Sequence, residues 1–269
     1  INASEASNKI TSDDGKYEFE YENGKLVPKE AHTHYLCGST SCTKDGHDEE
    51  ASMVTFKPWT DALAQEQNSS TAANSLPSEG GNYYLTGNVE LSSAWVPEDG
   101  TVLDLCGYSI KMSKDSENVI SVGSSGFTLV DCKGGKTEYG IITHNEDVTG
   151  RGVYVSPGCT FNMYGGNITG NTATGSDDNG NGGGVYVSSS FTLKDGATIS
   201  GNKAENRGGG VYARSLFDME GGTISDNTVA GDMTSGDGGG GVYAEASFRM
   251  YNGQIIGNTT GRDGGGVYA

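Results

Sequence analysis

The chain has 269 residues, 44 of them glycine and only 33% apolar, and 35 Asp+Glu against 17 Lys+Arg give a formal net charge of -18. That field repels phosphate backbones and anionic headgroups, so neither nucleic acid nor a membrane surface is an expected partner, and no apolar run reaches the roughly 18 residues of a membrane span. So much glycine argues against an ordinary compact core, while the bias falls short of that of disordered chains; a repetitive architecture fits better.

Near the N-terminus, Tyr17, Phe19 and Tyr21 alternate with Glu18, Glu20 and Glu22 ahead of the pair Asn23-Gly24. This predicts a β-hairpin closing an N-terminal extension, residues 1–30, which is either a linker or an edge that docks on the first coil of a solenoid. Residues 31–80 read as a cap module, because a solenoid needs its terminal core covered. Phe56, Trp59 and Leu63 in "FKPWTDALAQEQ" are the expected lid.

The same module contains "HTHYLCGSTSCTKDGH", in which His32, His34, Cys37, Cys42 and His47 place five metal-ligating side chains within sixteen residues. Tetrahedral zinc takes four thiolate or imidazole ligands, and Gly38 and Gly46 allow a short loop to converge on one ion. With every position filled by protein, such a zinc is structural rather than catalytic. A Cys37–Cys42 disulfide and an unliganded polar loop are the competing readings. The five cysteines of the chain are too sparse for a disulfide scaffold.

From about residue 81 to residue 269 one pattern recurs, as "RGVYVSPGCTFNMYGGNITGN" at 151–171, "NGGGVYVSSSFTLKDGATISGN" at 181–202 and "RGGGVYARSLFDMEGGTISDN" at 207–227. Each copy holds three strand-length segments, G-V-Y-[VA], F-x-[ML] and [TNQ]-I-x-[GD]-N, and repeats of this size imply stacked coils. Alternation places Phe161 and Met163, Phe191 and Leu193, Phe217 and Met219, Phe248 and Met250, and Ile168, Ile199, Ile224 and Ile255 inside. Three strands per coil, each with one apolar face, close an all-β parallel helix around a dry interior. The tyrosines Tyr154, Tyr186, Tyr212, Tyr243 and Tyr268 stand 32, 26, 31 and 25 residues apart, so coils take about 25 to 31 residues with alternating long and short loops. Asn171, Asn202, Asn227 and Asn258 fall at one corner, where stacked amides would satisfy buried turn backbone.

The GGGVY and F-x-[ML] segments resemble right-handed parallel β-helices of the pectate-lyase-like superfamily. They resemble more closely the repeats of bacterial surface adhesins, including the polymorphic outer-membrane proteins with their GGAI and FxxN motifs. The resemblance covers residues 81–269 and implies a right-handed coil in a secreted or cell-surface bacterial protein. It implies no single activity, since the superfamily includes lyases, glycosidases, phage tailspikes and non-catalytic adhesins. The chain begins at Ile1 without a basic and apolar leader and stops within a repeat, which reads as a piece of a longer repetitive protein.

Three surface features could carry function. Glycoside hydrolysis needs two carboxyls roughly 5 to 10 Å apart, and Asp218 and Glu220 share an outward face about 7 Å apart by strand geometry. Lys194 and Arg249 flank them in neighbouring coils, which equally describes a cross-strand salt ladder. In the long loop, Asp177, Asn179 and Asn181 followed by Gly182 reproduce the first half of a calcium loop, but its twelfth position is Ser188 where a bidentate Glu is needed. Asp232 and Asp237 of the next long loop are the corroborating acids. The outward ladder Tyr154, Tyr186, Tyr212, Tyr243 and Tyr268 is suited to stacking on sugar rings or on a partner protein, or else simply packs along itself. The expectation is a non-catalytic adhesin or structural module that presents loops and tyrosines to a glycan or a surface protein. A carbohydrate-active enzyme, lyase or hydrolase, is the alternative, and a passive spacer is the third reading.

Overall fold

The computed structural model of the chain describes residues 10–11, 17–22, 25–30, 32–37, 53–67, 71–230 and 238–269. From Val54 onward the chain is a parallel β-helix. A nine-stranded sheet carries the F-x-[ML] segments, a seven-stranded sheet the isoleucine segments and a six-stranded sheet the G-V-Y segments. The pairing is in register for chemically equivalent residues. Phe127 pairs with Phe161, Phe161 with Phe191, Phe191 with Phe217, and Phe217 with Phe248. Their rings stack with centroids 5.5, 5.0, 5.0 and 5.1 Å apart. That spacing follows from parallel strands about 4.8 Å apart, which forces identical side chains on successive coils into contact. One continuous apolar cluster fills the interior from Trp59 to Val242, each fully buried side chain contributing about 1.5–3 kcal/mol, while Phe248 and Ile255 pack against it only partly buried and Met250, expected inside, is exposed. Among the described residues no helix is long and apolar enough to cross a membrane.

The Gly-Gly-Gly that opens a coil has a steric cause. Gly208 has φ +62, a conformation that side chains disfavour, while a Cβ on Gly209 would lie 2.5 Å from the Gly240 carbonyl and 2.6 Å from that of Thr228. The coils approach so closely there that only hydrogen fits. At the preceding corner the amide ladder forms. Asn171 Nδ2 donates to Asn202 Oδ1, Asn202 Nδ2 to Asn227 Oδ1 and Asn227 Nδ2 to Asn258 Oδ1, at 3.0, 3.0 and 2.9 Å. Each oxygen also accepts the backbone N–H of the preceding coil's asparagine, and Asn171, Asn202 and Asn227 are fully buried.

Three features differ from the sequence reading. The four coils with a ladder asparagine have four strands rather than three: Thr172–Ala173, Lys203–Ala204, Thr228–Val229 and Thr259–Thr260 pair in a narrow sheet after each such asparagine, too short for periodicity to reveal. The parallel sheet also begins upstream of residue 81, because Val54–Trp59 pairs parallel with Asn82–Leu85. Finally, the expected lid divides. Trp59 and Leu63 pack against the interior cluster, the helix Asp61–Glu66 being N-capped by Thr60. Phe56 instead faces outward, in a separate cluster with Val130 and Tyr164, since it lies three residues from Trp59 on an alternating strand. The predicted hairpin forms, Tyr17–Glu22 against Lys25–Glu30, with Ile10–Thr11 along its other edge.

Candidate metal centre

The strand His32–His34 adds antiparallel to Val54–Trp59, pairing His32 with Phe56 and His34 with Val54. Residues two apart on a strand share a face, so both imidazoles turn to the same side, above the outer surface of the nine-stranded sheet. There they meet Asp104, at the end of the strand Thr101–Asp104, and Cys132, just after the strand Gly126–Val130. One ligand atom from each of His32, His34, Asp104 and Cys132 lies within 4.8 Å of all the others. His32 Nε2 and His34 Nε2 are 2.8 and 2.9 Å from Asp104 Oδ2, and Cys132 Sγ is 3.5 Å from His32 Nε2. Around a tetrahedral ion with about 2.0–2.1 Å bonds to nitrogen and 2.3 Å to sulfur, donors are separated by roughly 3.3–3.6 Å, so small side-chain adjustments suffice.

The surroundings orient each donor. Asp104 is fully buried, and its Oδ1 accepts the backbone N–H groups of Cys106 and Cys132 at 2.8 and 3.0 Å, leaving Oδ2 for the centre. His34 Nδ1 lies 2.6 Å from the Tyr35 carbonyl; donation there fixes the tautomer that turns the Nε2 lone pair inward. His34 stacks on Phe56 at 4.4 Å and His32 on Tyr84 at 4.2 Å. Phe56 thus supports a ligand rather than the core.

Burial by itself drives the imidazoles toward neutrality, but hydrogen bonds to Asp104 and Cys132 outweigh it and push His32 up to about 9 and His34 up to about 10. Burial likewise opposes the Asp104 carboxylate, yet the bonds from both histidines hold it well below the usual carboxylate range. The contact with Cys106, reinforced by burial, pushes the Cys132 thiol up to about 12. Positive charge is thus favoured at the meeting point, whether from protons or from a metal. His32 Nε2 also faces both Cys132 and Asp104, so the carboxylate does not orient the ring from its other nitrogen as a nucleophilic triad requires. The four side chains are placed so that they could together hold a metal ion.

Of the five side chains singled out in "HTHYLCGSTSCTKDGH", His32 and His34 enter this cluster, Cys37 lies in the turn after the strand and is not among its four donors, and Cys42 and His47 lie outside the described residues. Asp104 and Cys132 escaped sequence reasoning. A usable signal existed: Cys106 and Cys132 are 26 residues apart, one coil length, and each follows an aspartate closely, in "LDLC" and "VDC".

Most of the solenoid candidates are engaged. Arg249 grips Asp218 with Nε and Nη2, both at 2.6 Å, and Lys194 pairs with Glu220 at 2.8 Å, so each acid is tied to a neighbouring coil. The tyrosine rings stack at 5.2, 4.9, 5.6 and 5.0 Å, but they do not form an open aromatic surface. Tyr186 and Tyr212 are only 2% and 1% exposed, and Tyr154 and Tyr243 are half-buried; of the five, Tyr268 alone is exposed. The Arg151 guanidinium covers Tyr154 and Tyr186, Arg207 covers Tyr243, and the Tyr212 hydroxyl donates to Glu245 at 2.5 Å. In the long loop Asp177 Oδ1 accepts the Asn179 N–H, while Asn181 Nδ2 donates to Asp178 Oδ1. Arg151 binds the carbonyls of Asp178 and Asn181, Arg214 pairs with Asp178, and Arg207 lines the adjoining cavity, while the buried Asn181 Oδ1 has no hydrogen-bond partner. Asp232 and Asp237 lie outside the described residues. No family model, curated protein or solved structure matches the chain.

Proposed function

We propose that this chain is a non-catalytic β-helix module of a secreted or cell-surface bacterial protein, an adhesin or structural stalk, whose N-terminal segment is clamped to its first coils by zinc. The adhesin-like GGGVY repeats are the ground for the biological setting. The observation that carries the mechanical role is that outward-facing groups are tied between coils: Asp218 to Arg249, Glu220 to Lys194, Tyr212 to Glu245. These cross-links stiffen a rod and leave its loops as the surface for a glycan or protein ligand. One sulfur, two nitrogens and one oxygen in a partly buried, pre-oriented set suit zinc far better than calcium or magnesium, which prefer oxygen alone. Four protein ligands leave no open position, so His32, His34, Asp104 and Cys132 would hold chain rather than activate water. The carbohydrate-active alternative would need Asp218 and Glu220 released from their cations.

Two measurements on the purified chain test the reading. Elemental analysis should find about one zinc per chain, lost in His34→Ala. Affinity electrophoresis through a panel of plant, bacterial and mucin polysaccharides, with an assay for new reducing or unsaturated ends, should give retardation without product. Product that disappears in Asp218→Asn would overturn the non-catalytic reading.

A further inference from the structure

Next to the four-donor cluster stands a second thiol that it does not use. Cys106 Sγ is 3.6 Å from Cys132 Sγ. The two cysteines occupy equivalent places on adjacent coils, for Asp104 pairs in register with Val130 and each cysteine follows two residues later. Parallel strands stand about 4.8 Å apart, inside the roughly 4.4–6.8 Å between Cα atoms that a disulfide spans. Asp104 Oδ1 binds the backbone N–H of both cysteines and so holds the two chains at this separation whichever way the sulfurs turn. The turn above them is shaped for sulfur: Gly134, at φ +53, leaves the space where a Cβ would strike Cys106 Sγ, and its N–H donates to Cys132 Sγ at 3.3 Å.

We propose that Cys106 and Cys132 are an oxidisable inter-coil pair whose disulfide excludes the metal. The inference rests on the zinc reading above and adds its regulation. Cys132 cannot be both a thiolate ligand and a disulfide sulfur, so the centre has two exclusive states. The oxidant is a small-molecule disulfide, RSSR. Zinc-bound Cys132 thiolate, Cys106 thiol and RSSR give the Cys106–Cys132 bond, free Zn²⁺, one RS⁻ and one RSH: the S–S bond of RSSR and the zinc–sulfur bond break, one S–S bond forms, and the cysteine pair loses the two electrons that RSSR gains. The reduced protein holds the N-terminal strand through metal. The oxidised protein instead staples its own coils and leaves His32, His34 and Asp104 with one donor too few.

The test uses the full chain loaded with zinc and treated with oxidised glutathione. A chromogenic chelator follows zinc release, and peptide mass mapping after alkylation follows the Cys106–Cys132 link. Zinc release and link formation should rise together in equal amounts. Cys106→Ser should bind zinc normally yet release it at least tenfold more slowly under the same oxidant, whereas Cys37→Ser should behave as wild type. Equal release from Cys106→Ser, or a Cys106–Cys132-linked protein that still binds zinc, would overturn this inference and leave the zinc reading standing. Reduced wild-type protein that takes up no zinc would remove both.

Discussion

Replacing one asparagine in the middle of the amide ladder should cost more than replacing one at its end. Asn202 accepts the N–H and Nδ2–H of Asn171, and its own Nδ2 donates to the Ile168 carbonyl and to Asn227 Oδ1. Asn227 Oδ1 keeps the backbone N–H of residue 202 in Asn202→Ala, and Asn171 Nδ2 keeps the Ile142 and Thr169 carbonyls, but Asn171 N–H and the Ile168 carbonyl lose partners. Asn171 and Ile168 are fully buried. At about 1–3 kcal/mol for each of these two buried groups, with partial relaxation, the loss is about 2–4 kcal/mol. Asn258→Ala also deprives two donors of Asn227, but Asn258 is half-buried in the last coil, where water can take its place, and about 1–2 kcal/mol is expected. Urea unfolding followed by far-ultraviolet circular dichroism gives the comparison from the midpoints at constant slope. Equal losses in the two variants, or a loss under about 1 kcal/mol for Asn202→Ala, would refute the claim that the ladder satisfies buried backbone.

Three further outcomes follow from the same structure. Phe191→Ala removes a fully buried ring from between Phe161 and Phe217 and should destabilise by about 3–5 kcal/mol on the same urea assay, with a cavity that opens the stack. Arg249→Ala breaks an ion pair whose arginine side chain is 52% exposed and should change stability by no more than about 1 kcal/mol, which a melting curve will show as a small shift falling with added salt. In chelator-treated protein, His32 and His34 stand at about 9 and about 10 against an ordinary 6.5, so their contribution is complete below that ordinary value and drains away as pH rises through the raised ones. Asp104, held low, contributes above its ordinary 3.8 and loses this only in stronger acid. The melting temperature of metal-free protein should therefore fall between neutrality and pH 10, while zinc-loaded protein falls on acidification, when protons displace the ion. A metal-free melting temperature that stays level over the alkaline range would contradict the ion-pair geometry.

The solenoid was readable from the chain because a parallel β-helix is a one-dimensional crystal of its own repeat: a residue type that recurs once per coil stacks on its own copies, and Phe161, Phe191 and Phe217 or Asn171, Asn202 and Asn227 declare the register in advance. Less was readable wherever the pattern is short or absent. The two-residue strands after each asparagine carry no periodicity, and Val54–Trp59 joins the sheet through backbone bonds that any extended segment can make. Nor could alternation tell that Tyr186 and Tyr212, correctly placed outside the apolar core, lie covered, because the cover comes from Arg151, Arg214 and Glu245 on other parts of the coils.

The metal centre divides along the same line. The sequence alone determined that His32 and His34, two apart in an extended segment, would present two imidazoles to one side. Their partners, 70 and 100 residues away in the pairs His34–Asp104 and His32–Cys132, were decided by folding. Stacking placed Asp104 and Cys132 side by side one coil apart, and the landing of the N-terminal strand on Val54–Trp59 carried the histidines over them. That landing is a matter of backbone pairing at the open edge of a sheet, which leaves no side-chain signature in the sequence of either strand.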